Sequence, residues 1–267
     1  MEHKLKTIKS FSNPIYKELK KLTDTKKRKS LKKFLIEGYT FLKDAIQSST
    51  LYPMELLVVS EDILEKPKIA KLLTQAIEKC INCIVLSQEL YDSLNLLKTP
   101  QGVLGIFKER NFDFVRLNLR NFVVILDEIR DPSNVGAIIR SACAFGASAV
   151  FFSKATADPF SLKSVRASAG TLLFIPIVKV EDWSELISFL KQKNYKVVAT
   201  SLTAKISLRD ARLSTKSAIV LGNEAGGITS FWDSFADLKI KIPISRKVES
   251  LNVAVAGGII FYTISTF

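Results

Sequence analysis

Three short runs in this 267-residue chain combine side chains that can grip a ligand and steady a developing charge. The first is Asp131-Pro132-Ser133-Asn134-Val135-Gly136, followed by Ala137-Ile138-Ile139-Arg140. Pro and Asn favour a turn, Gly136 permits close packing, and the helix that starts there carries Asn134 and Arg140. The second is Leu221-Gly222-Asn223-Glu224-Ala225-Gly226-Gly227, where three glycines let backbone amides approach a ligand beside the anion of Glu224. It is neither a dinucleotide fingerprint nor a phosphate loop, because the glycine spacing is wrong and no Gly-Lys-Ser/Thr follows. The third is Ile242-Pro243-Ile244, a polar loop to Glu249, then Ser250-Leu251-Asn252-Val253, with Ser250 and Asn252 where a helix begins. Taken singly, each run reads equally well as a capped turn or a tight loop.

The residue types in the three runs give little support to nucleophilic or metal catalysis. The only histidine is His3, so imidazole base chemistry has no candidate in the three runs. Cys80 and Cys83 form a Cys-x-x-Cys, yet zinc needs four ligands and no second pair is present. The plainer reading is that the two thiols close a helix and open the strand Cys83 to Leu86. No metal site is expected. Three cysteines give no disulfide framework, which agrees with a reducing compartment.

The runs must be held by elements, and these are legible. In the first part, Phe34 to Ile36, Leu56 to Val59, Cys83 to Leu86 and Gly102 to Phe107 read as strands. Helices are expected from Pro14, capped by Ser12-Asn13, with Ile15, Leu19 and Leu22 on one face. Others are expected over Tyr39 to Gln47, Ile69 to Cys80, and Ser87 to about Leu96. Residues 109 to 121 are polar and charged and read as a linker. After it come apolar strands at Phe122 to Leu126, Ala149 to Phe152, Ile175 to Val178, Val197 to Thr200, Ala218 to Leu221 and Leu238 to Ile242. Continuous apolar strands returning through helices imply a mainly parallel sheet covered on both faces. The chain is therefore read as α/β, with a small domain over 1–108 and a second domain over 122–267. In such a sheet the ligand site lies beyond the carboxyl ends of the strands, where all three runs fall.

Charge separates the parts. Residues 1–34 hold 12 Lys/Arg against 3 Asp/Glu, residues 35–120 hold 10 against 11, and residues 121–267 hold 17 against 12. A basic arm beside a near-neutral body is the footprint of a polyanion ligand such as a nucleic acid; a solvated helix or a membrane-attracted tail has the same composition. The longest apolar run, Val253 to Ile264, is too short to cross a bilayer as a helix, and the N-terminus opens on charges. The expected location is the cytoplasm.

In combination the three runs resemble the TrmH/SpoU-type RNA 2′-O-ribose methyltransferases of the SPOUT superfamily. The likeness rests on Asn-x-Gly-x-x-x-Arg at Asn134 to Arg140, Gly-Asn-Glu-x-x-Gly at Gly222 to Gly227, and Ser-Leu-Asn-Val at Ser250 to Val253. Upstream, Phe34-Leu-Ile-Glu-Gly and Thr99-Pro100-Gln101-Gly102-Val103 look like the substrate-binding domain that precedes the catalytic one in many members. The resemblance implies a catalytic domain tied in a deep trefoil knot, a homodimer, and S-adenosylmethionine held mainly through backbone at Thr200, Leu221, Gly222, Ile242, Ile244 and Leu251. It nominates Arg140 as the central catalytic residue, supported by Asn134, Glu224, Ser250 and Asn252. Because a guanidinium stays protonated, Arg140 is expected to position the hydroxyl and stabilise an alkoxide rather than act as a base. The expected substrate is a structured RNA, ribosomal rather than transfer RNA. The rival readings are a non-catalytic RNA-binding or ribosome-assembly factor, and a tRNA- or base-directed methyltransferase on the same fold. A nicotinamide oxidoreductase lacks its glycine fingerprint here.

Overall fold

The computed structural model describes residues 5–94, 96 and 99–265. The chain forms two compact units: one runs to Arg110 and takes in Phe160–Leu162, and the other comprises Asn111–Pro159 and Lys163–Phe267.

The first unit contains, in order, β1 (Lys6–Ile8), α1 (Pro14–Leu22), α2 (Thr25–Leu31), β2 (Lys33–Glu37), α3 (Tyr39–Gln47) and β3 (Met54–Ser60). α4 (Pro67–Glu78), β4 (Asn82–Leu86), α5 (Gln88–Asp92) and β5 (Val103–Lys108) complete it. Its sheet has the order β1-β4-β3-β5-β2, parallel except where β5 pairs antiparallel with β3 and β2. Asn13 caps α1 by accepting from the Ile15 amide, and Pro14 occupies a position whose N–H has no helical partner.

The basic stretch is not a loose arm. Tyr16, Leu19 and Leu22 are buried in the core with Leu35, Val58 and Leu104. α2 follows because Asp24 accepts from both the Lys26 and Lys27 amides. Arg28 is buried and paired with Glu109. Lys17, Lys21, Lys26, Lys27, Lys29 and Lys32 remain exposed on this folded face. The helix expected to reach Leu96 stops at Asp92. Cys80 sits in a left-handed turn after α4, and burial on β4 pushes the Cys83 thiol up to about 11.

The second unit holds β6 (Val123–Leu126), α6 (Pro132–Ala144), β7 (Ala149–Phe152), α7 (Leu162–Ser168), β8 (Ile177–Lys179) and α8 (Trp183–Gln192). There follow β9 (Lys196–Thr200), β10 (Ile206–Ser207), β11 (Ser217–Leu221), α9 (Ser230–Phe235), β12 (Leu238–Lys241) and α10 (Val253–Ile264). The seven strands pair in the order β10-β12-β9-β11-β6-β7-β8, every pair parallel. Strands β6, β7 and β11 are buried along their whole length, which is why they read as unbroken apolar runs.

Two details depart from the sequence reading. The strand expected from Ile175 begins at Ile177, because Thr171–Phe174 forms a 3-10 turn ahead of it. Residues 111–119 are bound to the second unit and do not hang free. Phe112, Phe114 and Leu117 pack on its core, Leu119 is buried, and Phe114 meets Phe151 and Phe189 edge-on. Scattered apolar residues suffice to anchor a polar segment when each finds a ring or a methyl to cover.

Candidate active site

From β6 the chain turns one way into β7 and β8, whereas β11 lies on the other side of β6. This is the topological switch point, and sheets of this kind bind ligands there, beyond the carboxyl ends of the strands. Asn134 follows β6, Glu224 follows β11, and the run from Ile242 to Asn252 follows β12, all at that end.

Three of the five expected catalytic residues meet. Asn134 Nδ2 donates to Glu224 Oε1 at 2.7 Å, and Asn252 Nδ2 donates to Asn134 Oδ1 at 2.9 Å. A carboxylate, an amide and a second amide, 90 and 118 residues apart in sequence, therefore form one hydrogen-bonded chain. Asn134 keeps one N–H and one lone pair free for a ligand. Each link is anchored locally. Asn252 caps α10 by accepting from the Ala254 amide at 2.9 Å. Asp131 caps α6 through the Ser133 amide, and its hydrogen bond with Lys163 holds its carboxyl below the ordinary value. Gly136 must lack a side chain, since a Cβ there would lie 2.1 Å from the Ser164 carbonyl oxygen of α7.

The Glu224 loop is built by its own motif and is held by residues that the sequence did not single out, Glu128, Asp127 and Thr229. Asn223 and Gly227 exchange two backbone hydrogen bonds of 2.8 and 2.9 Å, closing the loop on itself. Asn223 Nδ2 donates to the Glu128 carbonyl and its Oδ1 accepts from Ala225. A Cβ on Gly222 would sit 2.2 Å from the carbonyl carbon of Gly227. Beneath the loop lies Asp127, only 2% exposed. Its carboxylate accepts from the Thr229 amide at 2.6 Å and the Thr229 hydroxyl at 3.3 Å, and its own amide donates to Leu221. Burial raises the Asp127 carboxyl above its ordinary value, while the two Thr229 bonds pull it back. The available signal was a carboxylate, Asp127, standing directly after the apolar strand that ends at Leu126.

Arg140 and Ser250 do not join the chain. Six residues beyond Asn134, at 100° per residue, Arg140 is turned about 120° around α6. Its guanidinium is exposed, and among the described residues it has no hydrogen-bond or ionic partner. Ser250 is likewise exposed. α10 packs along α6, with Gly257 against Leu221 and Gly258 toward Ser141, leaving Val255, Ile259 and Tyr262 exposed.

Thr200, Leu221 and Ile242 close or follow the adjacent strands β9, β11 and β12, so the residues expected to hold a cofactor gather at one end. Ile242, Ile244 and Leu251 are half-buried, offering apolar surface. Among the described residues, no backbone group of Gly222, Ile242, Ile244 or Leu251 is spent in a loop, turn or cap hydrogen bond. Apolar walls with unspent amides and carbonyls fit an adenine ring read through main-chain groups. Among the described residues there is no cluster of His, Cys, Asp or Glu able to hold a metal, and no helix long and apolar enough to cross a membrane.

Fold and site together define an α/β enzyme that orients a bound cofactor and an acceptor at the ends of parallel strands. Residues 121–262 match the SpoU rRNA Methylase family, and residues 13–105 match the MRM3-like substrate binding domain. The 23S rRNA (guanosine(2553)-2′-O)-methyltransferase RlmP of Bacillus subtilis is 30% identical over 258 residues, spanning 97% of this chain and 98% of that relative. The AdoMet-bound rRNA methyltransferase of Sinorhizobium meliloti superposes with a TM-score of 0.85 at 29% identity, covering 97% of each chain. The AdoMet complex of the SpoU methyltransferase AviRb from Streptomyces viridochromogenes gives 0.81 at 25% identity, covering 94% of this chain and 97% of that one. The chain belongs to the SpoU rRNA methylase family. It is an RNA 2′-O-ribose methyltransferase that uses S-adenosylmethionine as methyl donor.

Proposed function

We propose that this chain methylates one ribose in ribosomal RNA, acting in the cytoplasm as a homodimer. The observation that carries the reading is the Glu224–Asn134–Asn252 chain at the β6/β11 switch point, beside the backbone-lined end of β9, β11 and β12. Preference for ribosomal RNA is supported by the chain-wide match to a 23S rRNA enzyme and by the exposed lysines of α1 and α2, which suit a large folded polyanion. Residues 1–108 serve substrate binding and residues 122–267 catalysis, joined through 109–121. The meeting of Asn252 with Asn134, across strands β11 and β9, supports a knotted C-terminal segment.

S-adenosylmethionine supplies an activated methyl on a sulfonium. Thr200, Leu221, Gly222, Ile242, Ile244 and Leu251 hold it, chiefly through backbone. Asn134, fixed on both sides, orients the ribose hydroxyl with its free N–H or lone pair. Arg140 stabilises the alkoxide as the proton leaves to water or a neighbouring phosphate, and Ser250 lines the acceptor side. Since Arg140 projects away from its own Asn134, the dimer brings it to the partner's acceptor. The exposed stripe of Val255, Ile259 and Tyr262 beside α6 supports α10 as the contact.

The test is 2′-O-methyl mapping of cellular RNA with and without the protein, followed by methylation of a transcript bearing a 2′-deoxy nucleotide at the mapped site. One ribosomal position should lose alkaline resistance in the deletion, and the deoxy transcript should accept no methyl. A normally methylated deoxy transcript would make the base the acceptor.

A further inference from the structure

Strand β10 is the edge of the seven-stranded sheet and among the described residues pairs only with β12, Ile206 against Ile240 and Ser207 against Lys241. Lys205 immediately precedes β10, and Arg209, Arg212, Lys239, Lys241, Arg246 and Lys247 lie on these two strands or the turns that follow them. Lys239 is committed to Asp233 at 2.6 Å. The other six have no ion pair among the described residues, and all but the half-buried Lys241 are exposed. The same stretches carry only two carboxylates, Asp210 and Glu249. Neighbouring strands lie about 4.8 Å apart, so like charges on them repel unless an anion lies between. Leu202, Ile206 and Val248 stand exposed among the cations.

We propose that the β10–β12 edge, with the turns after each strand, is a phosphate track for the RNA strand flanking the target nucleotide. The inference rests on the RNA reading above and adds a contact surface within the catalytic unit itself. RNA is the occupant favoured here because β12 runs directly into the loop from Ile242 to Asn252. A backbone laid along the edge is therefore delivered to the residues that hold cofactor and acceptor. The exposed aliphatic side chains give unstacked bases a surface beside the phosphates. The rival uses of such an edge are protection against sheet-to-sheet aggregation and attraction to an anionic bilayer.

The test is a variant with Lys205, Arg209, Arg212 and Lys241 all changed to Gln, leaving the site loop untouched. A companion retains charge, with Lys205→Arg, Arg209→Lys, Arg212→Lys and Lys241→Arg. A ribosomal RNA fragment that the wild-type protein methylates is the ligand. Each phosphate contact contributes roughly 0.7 to 0.9 to the slope of log affinity against log salt, so the Gln variant should lose about 3 from that slope. Its KM for RNA should rise tenfold or more near 150 mM salt, a range consistent with losing about four such contacts. Cofactor affinity, melting temperature and kcat at saturating RNA should stay unchanged, and the charge-retaining variant should behave as wild type. An unchanged slope and KM would overturn the track and leave aggregation guarding as its role. Loss of binding to phosphatidylserine vesicles with RNA affinity intact would overturn it in favour of a membrane. Wild-type protein that neither binds nor methylates any RNA would instead remove the underlying reading, and the track with it.

Discussion

Replacing Asn134 by Ala removes two hydrogen bonds at once, the one it donates to Glu224 and the one it accepts from Asn252. A bond to a charged group is worth about 1.5–3 kcal/mol net and a neutral one about 1 kcal/mol. Both links are solvent-accessible, which places them toward the low ends of those ranges, for a joint loss of about 2–3 kcal/mol. If the chain's task is to fix the acceptor hydroxyl as the methyl transfers, that loss falls on the transition state and lowers kcat about 30- to 150-fold. Asn134→Asp should be worse at neutral pH, because it sets a second carboxylate where Glu224 now accepts a hydrogen bond at 2.7 Å. The pair would then share a proton on acidification, so the Asp variant should regain activity as pH falls while the Ala variant does not. The assay is transfer of labelled methyl to saturating RNA, with cofactor affinity by calorimetry and melting temperature as controls. A kcat within threefold of wild type in the Ala variant, or a loss that merely follows a lowered melting temperature, would refute the reasoning.

Arg140→Ala should abolish turnover while leaving cofactor affinity nearly unchanged, since cofactor binding is assigned to backbone; equal loss in calorimetry and turnover would put Arg140 in the binding shell. Changing exposed Lys17, Lys21, Lys26 and Lys27 to Gln should weaken RNA binding and lower its salt slope by about 3, with the buried face of α1 intact. An unchanged slope in a filter-binding titration would make that face only solvated surface. Asp127→Asn tests the buried carboxyl beneath the Glu224 loop. A carboxyl whose folded value is raised above 3.8 contributes stability at pH below its unfolded value and loses it as pH rises through the folded one. Melting temperatures from pH 4 to 8 should therefore shift in favour of Asn as pH rises, whereas a difference independent of pH would show that the carboxyl is not perturbed.

The sequence by itself determined the alternation of elements and the three runs that carry the chemistry. Strands such as Ala149–Phe152 and helices such as Tyr39–Gln47 are written in local patterns of apolar residues, which act over a few positions. The residue types of Asn134, Glu224 and Asn252 were legible because each stands beside a strand end or helix start. Tertiary structure alone decided that these three form one hydrogen-bonded chain and that Arg140 is left exposed beside it. It also made the basic N-terminal stretch part of a core, through Leu19, Leu22 and the buried Arg28 paired with Glu109. The two-residue edge strand Ile206–Ser207 was invisible because so short a strand has no period of its own and exists only by pairing with β12. The role of Asp127 was likewise hidden, although its charge after the strand was visible: its partner Thr229 lies 102 residues away, and burial, which raises its carboxyl, belongs to no local pattern.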